Sequence, residues 1–415
     1  MNKATEGASD EVKVRPLEGL VVLGVEQYIA GPYCTMLLAD AGAEVIKIER
    51  PGVGDPRRTI GPYVTGRDGK TRISGGFLEY NRNKKSVTLN LQAPEGQELL
   101  RRLAGTADVL VENFRPGVMD KLGLGAEELG RVNPRLVYAA VSGFGQLAGM
   151  EGPYSKRPAF DIVAEAMSGV MHMVGFADRP PSTTLYGLAD TYSGLVTALG
   201  VMFALWTRQR TGRGQFVDTA MYDAMLALNE RCLAGYSLTG EVPGRGREAI
   251  QGPRGAFRAG DGYVALNIPT DELWRRLAGV LGRDDLLTDP RSVDGPSRAR
   301  NSESFLRPII EGWMADKPKD EVVRTLIAAG VPAGPVQTAD EIFACPQVAA
   351  RGTLVEVDDP DLGPTKFART AVRLGDAPEV DGRPAPALGQ HTAEVLGRVG
   401  VGDDELAALE RRGVV

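Results

Sequence analysis

The segment from residue 19 to residue 50, GLVVLGVEQYIAGPYCTMLLADAGAEVIKIER, has the pattern of a strand, a loop, a helix and a second strand. LVVLG is a short apolar run that ends in a loop. Cys34, Leu37, Leu38 and Ala41 then fall on one helical face, and AEVIKIE alternates apolar with polar residues as a strand does. This length suits a right-handed βαβ unit, whose two strands lie parallel in one sheet.

The alternation of strands and helices continues along the chain. SVTLNL, DVLVEN and RLVYAAVSGFG predict further strands, and APEGQELLRRLAG and GAEELGRVNP predict the helices between them. This order favours an α/β fold with a parallel, doubly wound sheet. The chain has 415 residues, more than one ordinary core serves, so we expect a second domain.

Two stretches rich in Gly and Pro, at 241–255 and 328–338, predict hinges. Between them GAFRAGDGYVALNI resembles a hairpin that turns at Asp261-Gly262, and helical segments surround Trp274, Leu281 and Trp313. The region between the hinges therefore predicts a small α+β domain.

Composition argues against several classes of protein. A net charge of -6 provides no basic surface for nucleic acid, although RNKK (82–85) could meet phosphates. The longest apolar run, 194–206, is shorter than the roughly 20 residues that span a bilayer, and residues 1–15 lack the apolar core of a signal peptide. The three cysteines and two histidines (His172 and His391) lack metal-ligand spacing. We expect a reduced, cytoplasmic protein with no metal and no membrane or nucleic-acid partner.

Glu49 ends the second strand, where a dinucleotide-binding fold carries its ribose-binding acid. The preceding turn is G-V-E-Q-Y-I-A-G-P, so the G-x-G-x-x-G fingerprint is absent. Without those glycines the backbone cannot approach a pyrophosphate in the usual way. Dinucleotide binding is therefore disfavoured.

Asp190 lies at the start of a long apolar stretch, LYGLADTYSGLVTALGVMFALW (185–206). One interpretation is an N-cap, with the apolar stripe that follows packed in the core: Leu195, Leu199, Met202, Phe203 and Trp206. The other is a nucleophile, because the positive end of the helix dipole keeps a carboxylate ionised there. Local sequence leaves both interpretations open.

The stretch VENFRPGVMDKLG (111–123) places Asn113, Phe114, Arg115 and Lys121 directly after a predicted strand. Ligands of open α/β sheets lie beyond the carboxyl ends of strands, where an Arg can pair with phosphate and a Phe can stack on a base. RRTIGPY (57–63) and Arg50 add positive charge in similar loops. A solvated loop is the alternative interpretation.

Taken together, these segments resemble the family III coenzyme A (CoA) transferases, which include formyl-CoA transferase, carnitine CoA transferase and α-methylacyl-CoA racemase. The resemblance covers nearly all of the chain after residue 16, in the family's order. It rests on AGPYCTMLLADAGAEVIKIERPGVGDPRR, NRNKKSVTLNL, ADVLVENFRPGVMDKLG, NPRLVYAAVSGFGQ, RPAFDIVAEAMSG, LADTYSG, QRTGRGQFVDTAMYDAM, AAGVPAGPVQTADEIFACPQVAARG and PALGQHTAEVL.

The resemblance implies a Rossmann-like large domain, a smaller α+β domain and an interlocked homodimer. With the hinges, it predicts a flexible tail at 1–16 and the first part of the large CoA-binding domain at 17–225. The linker and small domain follow at 226–335, and 336–415 returns to complete the large domain.

The family's nucleophile lies in a motif like LADTYSG, which implies catalysis by Asp190 through an aspartyl anhydride and an aspartyl-CoA thioester. CoA is then a substrate, and no cofactor is expected. The resemblance implies CoA contacts at Ala30, Arg50, Leu89, Asn113, Phe114, Arg115 and Lys121, and aligns Phe160 and Asp161 with a stretch that lines the active site. The racemases carry a proton-shuttling histidine where Phe160 stands, and phenylalanine cannot carry a proton.

The implied reaction moves CoA from an acyl-CoA thioester to a free carboxylic acid. A dicarboxylic acid is favoured weakly, because Arg157, Arg179 and Tyr186 lie near the active-site segments and could receive a second carboxylate. The alternatives are an isomerase, which moves CoA within one diacid or racemizes an acyl-CoA, and a CoA-binding protein without activity.

Overall fold

The computed structural model describes residues 14–245, 252–378 and 382–415. The chain forms two compact units. The first comprises Met1–Val174, Pro181–Gly240 and Gly352–Val415, and the second comprises Gly175–Pro180 and Glu241–Arg351.

The strands of the described residues are numbered in chain order. They are β1 (Val21–Val25), β2 (Glu44–Glu49), β3 (Tyr63–Thr65), β4 (Arg72–Ser74), β5 (Lys84–Thr88), β6 (Val109–Glu112), β7 (Val137–Ser142), β8 (Phe216–Ala220), β9 (Arg254–Ala259), β10 (Gly262–Asn267), β11 (Ala333–Pro335), β12 (Leu354–Asp359) and β13 (Gly363–Ala368).

The α-helices are numbered in the same way, and short 3-10 or π turns cover Pro56–Thr59, Asp284–Leu287 and Ser302–Leu306. The helices are α1 (Ala30–Asp40), α2 (Gly75–Asn81), α3 (Pro94–Ala104), α4 (Val118–Lys121), α5 (Ala126–Val132), α6 (Asp161–Met167), α7 (Val170–Met173), α8 (Leu188–Thr211), α9 (Met221–Leu228), α10 (Glu230–Thr239), α11 (Asp271–Leu281), α12 (Gly295–Arg300), α13 (Arg307–Met314), α14 (Lys319–Ala328), α15 (Ala339–Ala344), α16 (Pro346–Ala350), α17 (Thr392–Gly397) and α18 (Asp403–Arg411).

The first unit is built on a parallel sheet with the strand order β5-β2-β1-β6-β7-β8. Its central strands are buried on both faces, as in Val109–Glu112, because helices cover each side. Helices α3, α5, α17 and α18 contribute to one core, and α1 and α8 contribute to the other. The predicted parallel α/β architecture is confirmed.

The order of the strands reverses between β1 and β6, because the chain moves outward from β1 to β5 and then returns to β6. Such a switch point leaves a crevice at the carboxyl ends of the two strands. The crevice lies between the loop that follows β1 and the loop that follows β6.

The second unit contains the antiparallel sheet β11-β10-β9, packed with α11, α13 and α14 around one core. Its chain boundaries lie later than the sequence suggests, after Gly240 and after Arg351. Helix α10 continues to Thr239 and ends at Gly240 in the left-handed region. Residues 336–351 stay with the second unit because Lys319 contacts both the Val336 carbonyl and the Glu341 carboxylate.

The predicted burial of the apolar stripe on α8 is wrong for the isolated chain. Phe203 and Trp206 are 64% and 60% exposed, and Leu195, Leu199 and Met202 are also exposed. The buried face of α8 consists mainly of small residues, because the helix approaches α1 and the sheet closely. By length and composition α8 could also cross a membrane, a test that core helices of soluble proteins pass as well.

Four fully buried charges lie beneath the loop that follows β1. Lys47 Nζ lies 2.8 Å from Asp55 Oδ2 and 3.6 Å from Glu26 Oε1, and Lys84 Nζ lies 3.0 Å from Glu26 Oε1. Burial disfavours the charge on Lys47, yet Asp55, Glu26 and Glu49 raise its pKa. Two lysines thus balance two carboxylates.

The basic run RNKK is occupied by ion pairs within the chain, contrary to the idea that it meets phosphates. Arg82 pairs with Asp40, and Lys85 contacts Glu44 and Glu394. Lys84 is fully buried against Glu26. These cations stabilise the fold at the edge strand β5.

Replacing Lys47 by methionine should lower the free energy of unfolding by about 3–5 kcal/mol, because two buried carboxylates lose their partner. Urea unfolding followed by circular dichroism measures this change. Arg131→Met is the control, since Arg131 forms exposed ion pairs with Glu127 and Glu128. Equal midpoints for the two variants would contradict a stabilising role for the buried cluster.

Candidate active site at the carboxyl edge of the sheet

The crevice at the switch point is closed at its base by Asn113. Its Oδ1 accepts a hydrogen bond from the Gln27 backbone N–H at 2.8 Å, and its Nδ2 donates to the Gln27 carbonyl at 2.7 Å. A Cβ on Gly31 would lie 3.2 Å from the Asn113 side chain, so the start of α1 approaches this amide closely. Asn113 and the turn that leads to Ala30 are therefore brought together.

The loop that follows β1 is held in an unusual conformation. Tyr28 has a φ of 63°, in the left-handed region, and its backbone N–H donates to Asp55 Oδ1 at 3.1 Å. Asp55 is itself paired with Lys47. The buried charges thus determine where α1 begins, with Ala30 as its first residue.

Asp161 is the group that satisfies the start of α8. Its Oδ1 accepts hydrogen bonds from the backbone N–H groups of Ala189 at 2.6 Å and Asp190 at 3.4 Å, and its Oδ2 accepts from Gly187 at 3.3 Å. Gly187 is the N-cap residue, with a φ of 81°. The interpretation of Asp190 as the N-cap is therefore wrong: its carboxylate is free for another role because Asp161 satisfies the backbone.

The expectation that the helix dipole keeps Asp190 ionised is also wrong. Burial and the negative charge of Asp161 together raise the pKa of Asp190 to about 7, although the charge of Arg57 opposes them. Loss of hydration outweighs the dipole when a carboxylate is buried beside a second carboxylate. Near neutral pH, Asp190 can therefore hold or release a proton.

Phe160 and Asp161 join the site from the amino end of α6. Phe160 is exposed, and its ring packs edge-on against Tyr28 with the centroids 6.0 Å apart. On the same side, a Cβ on Gly187 would lie 3.2 Å from the Ile29 side chain. The loop after β1, the start of α6 and the start of α8 therefore converge.

The other residues implied for CoA binding lie along the same sheet edge. Arg50, Arg115 and Lys121 are exposed, and their side chains form no hydrogen bond or ion pair with any other described residue. Phe114 is half-buried, and its backbone N–H donates to the Glu112 carboxylate at 2.7 Å. The Leu89 side chain is buried in the core, so only its backbone could meet a ligand. The structure provides no direct contact between these five residues and Asp190.

Glu49 and Cys34 serve the fold. Glu49 accepts two hydrogen bonds from Arg58 and one from the Ser86 hydroxyl, so it has no side-chain oxygen left for a ribose. Burial raises the pKa of the Cys34 thiol. Across the described residues, no group of three or more His, Cys, Asp or Glu side chains is placed to hold a metal ion.

Sequence reasoning missed a group of side chains beside Asp190. Arg57 and Tyr80 belong to it, because Arg57 opposes the rise in the pKa of Asp190 and Asp190 contributes to the raised pKa of Tyr80. Tyr33 packs against Tyr80 with the ring centroids 5.9 Å apart. Their positions on three separate elements left no signal in the sequence, where Arg57 was only one of several loop cations.

Asp190→Asn should stabilise the protein at alkaline pH. The folded state of the wild type retains a proton on Asp190 up to about pH 7. Since the unfolded chain releases that proton near pH 4, wild-type stability falls as the pH rises between these values, and the whole cost is present above them. We expect an advantage for Asn of about 1–4 kcal/mol at about pH 8 that shrinks towards zero near pH 4, measured by urea unfolding. Asp404→Asn, an exposed control, should show no such trend; a constant difference for Asp190→Asn would contradict the raised pKa.

Comparison with known proteins connects this geometry to a family. The model of CoA-transferase family III matches residues 17–392. The chain is 38% identical over 408 residues to the succinyl-CoA–D-citramalate CoA-transferase of Chloroflexus aurantiacus, covering 97% of this chain and 98% of that protein. It is 40% identical over 390 residues to the succinyl-CoA:mesaconate CoA-transferase of Haloarcula hispanica, covering 93% and 97%.

A solved structure agrees with these relatives. The crystal structure of a CAIB/BAIF family protein from Brucella suis has a TM-score of 0.82 and 34% identity, and the match covers 92% of this chain and 99% of that one. Fold and sequence thus lead to the same conclusion along nearly the whole chain. This protein belongs to CoA-transferase family III and is a CoA-transferase.

Proposed function

We propose that this enzyme transfers CoA from an acyl-CoA thioester to a free carboxylic acid, with Asp190 as the covalent nucleophile. The observation that carries the proposal is the Asp190 carboxylate at the start of α8. The Asp161 carboxylate accepts hydrogen bonds from the backbone of Ala189 and Asp190 and so positions this helix start. The site lies where Asn113, Phe160 and the loop after β1 meet.

Covalent catalysis divides the exchange into steps that conserve the thioester energy. Asp190 attacks the acyl carbonyl, which forms an aspartyl anhydride and releases the CoA thiolate. The thiolate attacks the aspartyl carbonyl, which forms an aspartyl-CoA thioester and releases the donor acid. The acceptor carboxylate attacks this thioester, which forms a second aspartyl anhydride and releases the thiolate. The thiolate attacks the acceptor carbonyl of that anhydride, which forms the new acyl-CoA and releases the Asp190 carboxylate.

The electrostatics of Asp190 suit these steps. A carboxylate whose pKa is raised to about 7 is a stronger nucleophile than an ordinary aspartate, yet it is still available as the anion near neutral pH. Asp161 positions the backbone of Asp190 and raises its pKa by proximity. Burial also limits the access of water to an anhydride that water would destroy.

The sheet edge is suited to the rest of CoA. Arg50, Arg115 and Lys121 are exposed cations that can meet phosphate groups, and the Phe114 ring can stack on the adenine. Ala30, Leu89 and Asn113 then contribute backbone or amide contacts. No cofactor is needed, because CoA enters as part of the substrate.

The substrate class that we propose is a dicarboxylic acid. The C. aurantiacus and H. hispanica relatives are named for succinyl-CoA, whose acyl group carries a second carboxylate. Arg157 was a candidate to receive it, but its guanidinium stacks 3.9 Å over the Tyr154 ring. Tyr186 is 83% exposed.

Transfer between two acids is favoured over racemization. Phe160 stands where the resemblance places a proton-carrying histidine, and its ring packs against Tyr28. Racemization requires a second base at that position. Intramolecular transfer within one diacid would use the same Asp190 and differs only in the acceptor.

We also propose a cytoplasmic homodimer whose two chains interlock, as the resemblance implies. The exposed apolar face of α8, with Phe203 and Trp206 at its centre, is the surface that supports association. A large exposed apolar patch of this kind is typical of an interaction site.

Asp190→Ala should abolish CoA transfer, whereas Asp404→Ala should retain it. During turnover of the wild type, hydroxylamine should convert Asp190 to a hydroxamate, because an anhydride and a thioester both react with this nucleophile. Peptide mass spectrometry detects the adduct. Undiminished turnover in Asp190→Ala, or an adduct only on other residues, would rule out the mechanism.

Sedimentation should give a mass of about twice the chain, and Phe203→Asp should shift the equilibrium towards the monomer because it places charge on the apolar face. Val132→Asp is the control, as Val132 is an exposed apolar residue on α5. A wild-type monomer at micromolar concentration would contradict the homodimer.

A further inference from the structure

Arg57 is a buried arginine held rigidly from its backbone to its guanidinium. Only 3% of its side chain is exposed. Its backbone N–H donates to Asp55 Oδ1 at 2.9 Å, and its Nε donates to the Gly76 carbonyl at 2.9 Å. Because Asp55 is paired with the buried Lys47, the whole arrangement is anchored in the core.

One terminal nitrogen of the guanidinium pairs with a carboxylate, and the other has no hydrogen-bond partner among the described residues. Nη2 donates to Glu79 Oε2 at 2.8 Å, whereas Nη1 makes no hydrogen bond to any residue that the structure describes. The Glu79 side chain is 42% exposed, and burial raises its pKa even though the charge of Arg57 lowers it. Glu79 is therefore a partly solvated partner, which another carboxylate can replace.

Two tyrosines connect this guanidinium with the helix that carries Asp190. Arg57 lies 5.5 Å from the centre of the Tyr80 ring, and Tyr80 packs edge-on against Tyr33. A Cβ on Gly194 would lie 3.2 Å from the Tyr33 ring, and Gly194 is one helical turn after Asp190 on the same face. The series of contacts therefore ends on α8, one helical turn from Asp190.

Both phenols remain neutral donors at physiological pH. Burial raises the pKa of Tyr80 to about 12 and also raises that of Tyr33. Neither hydroxyl makes a hydrogen bond to another described residue, and both rings are only partly buried. The Tyr80 ring borders the guanidinium, and the Tyr33 ring borders Tyr80, so both rings can line a carboxylate that reaches Arg57.

We propose that Arg57 determines substrate specificity by binding the remote carboxylate of a dicarboxylic substrate, with Glu79 as the counter-ion that the substrate displaces. A buried guanidinium requires an anionic partner, and its planar fork matches the two oxygens of a carboxylate. Tyr33 and Tyr80 form the walls of this subsite. The inference rests on the role proposed above for Asp190.

The test compares succinate with butyrate as acceptors, because the two differ only by a carboxylate in place of a methyl group. Acetyl-CoA, which has no second carboxylate, is the donor. The wild type should prefer succinate, and Arg57→Gln should lower the succinate-to-butyrate ratio of kcat/KM by about 10-fold to 100-fold. The ratio cancels the effect of Arg57 on the pKa of Asp190, which acts on both acids.

Two further variants separate recognition from folding. Glu79→Gln should lower the KM for succinate by about threefold, with little change for butyrate, because the competing carboxylate is removed. Arg58→Gln, on the same turn but paired with Glu49, should keep the ratio within about twofold. If Arg57→Gln does not fold, Glu79→Gln alone decides the matter.

Three results would overturn the proposal: a wild type without preference for succinate, an equal loss for both acids in Arg57→Gln, or an unchanged succinate KM in Glu79→Gln. Trapping with hydroxylamine and acetyl-CoA distinguishes a failure of the role proposed for Arg57 from a failure of the role proposed for Asp190. An adduct on Asp190 with an unchanged ratio refutes the role of Arg57 alone, whereas no adduct in the wild type refutes the role of Asp190.

Discussion

The buried ion pair between Lys47 and Asp55 is the interaction on which the functional edge of the sheet depends. Asp55 holds the backbone of Tyr28 on one side and that of Arg57 on the other. The loop that starts α1 and the turn that carries Arg57 thus share one buried anchor. Charges so deeply buried are costly unless they are paired and hydrogen-bonded, and here each has a partner.

The two carboxylates that lie at the start of α8 have different roles. Asp161 accepts the backbone hydrogen bonds that a helix start requires, so the side chain of Asp190 is left for chemistry. Their proximity, together with burial, raises the pKa of Asp190 to about 7. In the account proposed here, the same contacts position the nucleophile and increase its basicity.

The parallel sheet and the family could be predicted from the sequence, because strands and helices alternate locally and the motifs extend along the whole chain. The packing of α8 could not, since its large apolar residues are exposed in the isolated chain and small residues such as Gly194 face the core. The capping of α8 was missed because Asp161 is distant in sequence and acts through tertiary contact. Arg57, Tyr33 and Tyr80 lie on separate elements, so only the fold reveals their proximity.

The central claim is that Asp190 carries the acyl group through an anhydride, and an oxygen label tests it most directly. The acceptor acid is labelled with oxygen-18 at its carboxylate and turned over in unlabelled water, and the Asp190 peptide is analysed by mass spectrometry. The account predicts that Asp190 keeps one labelled oxygen from the anhydride bridge and passes it to the donor acid released in the next cycle. An Asp190 peptide without label after turnover would contradict the account.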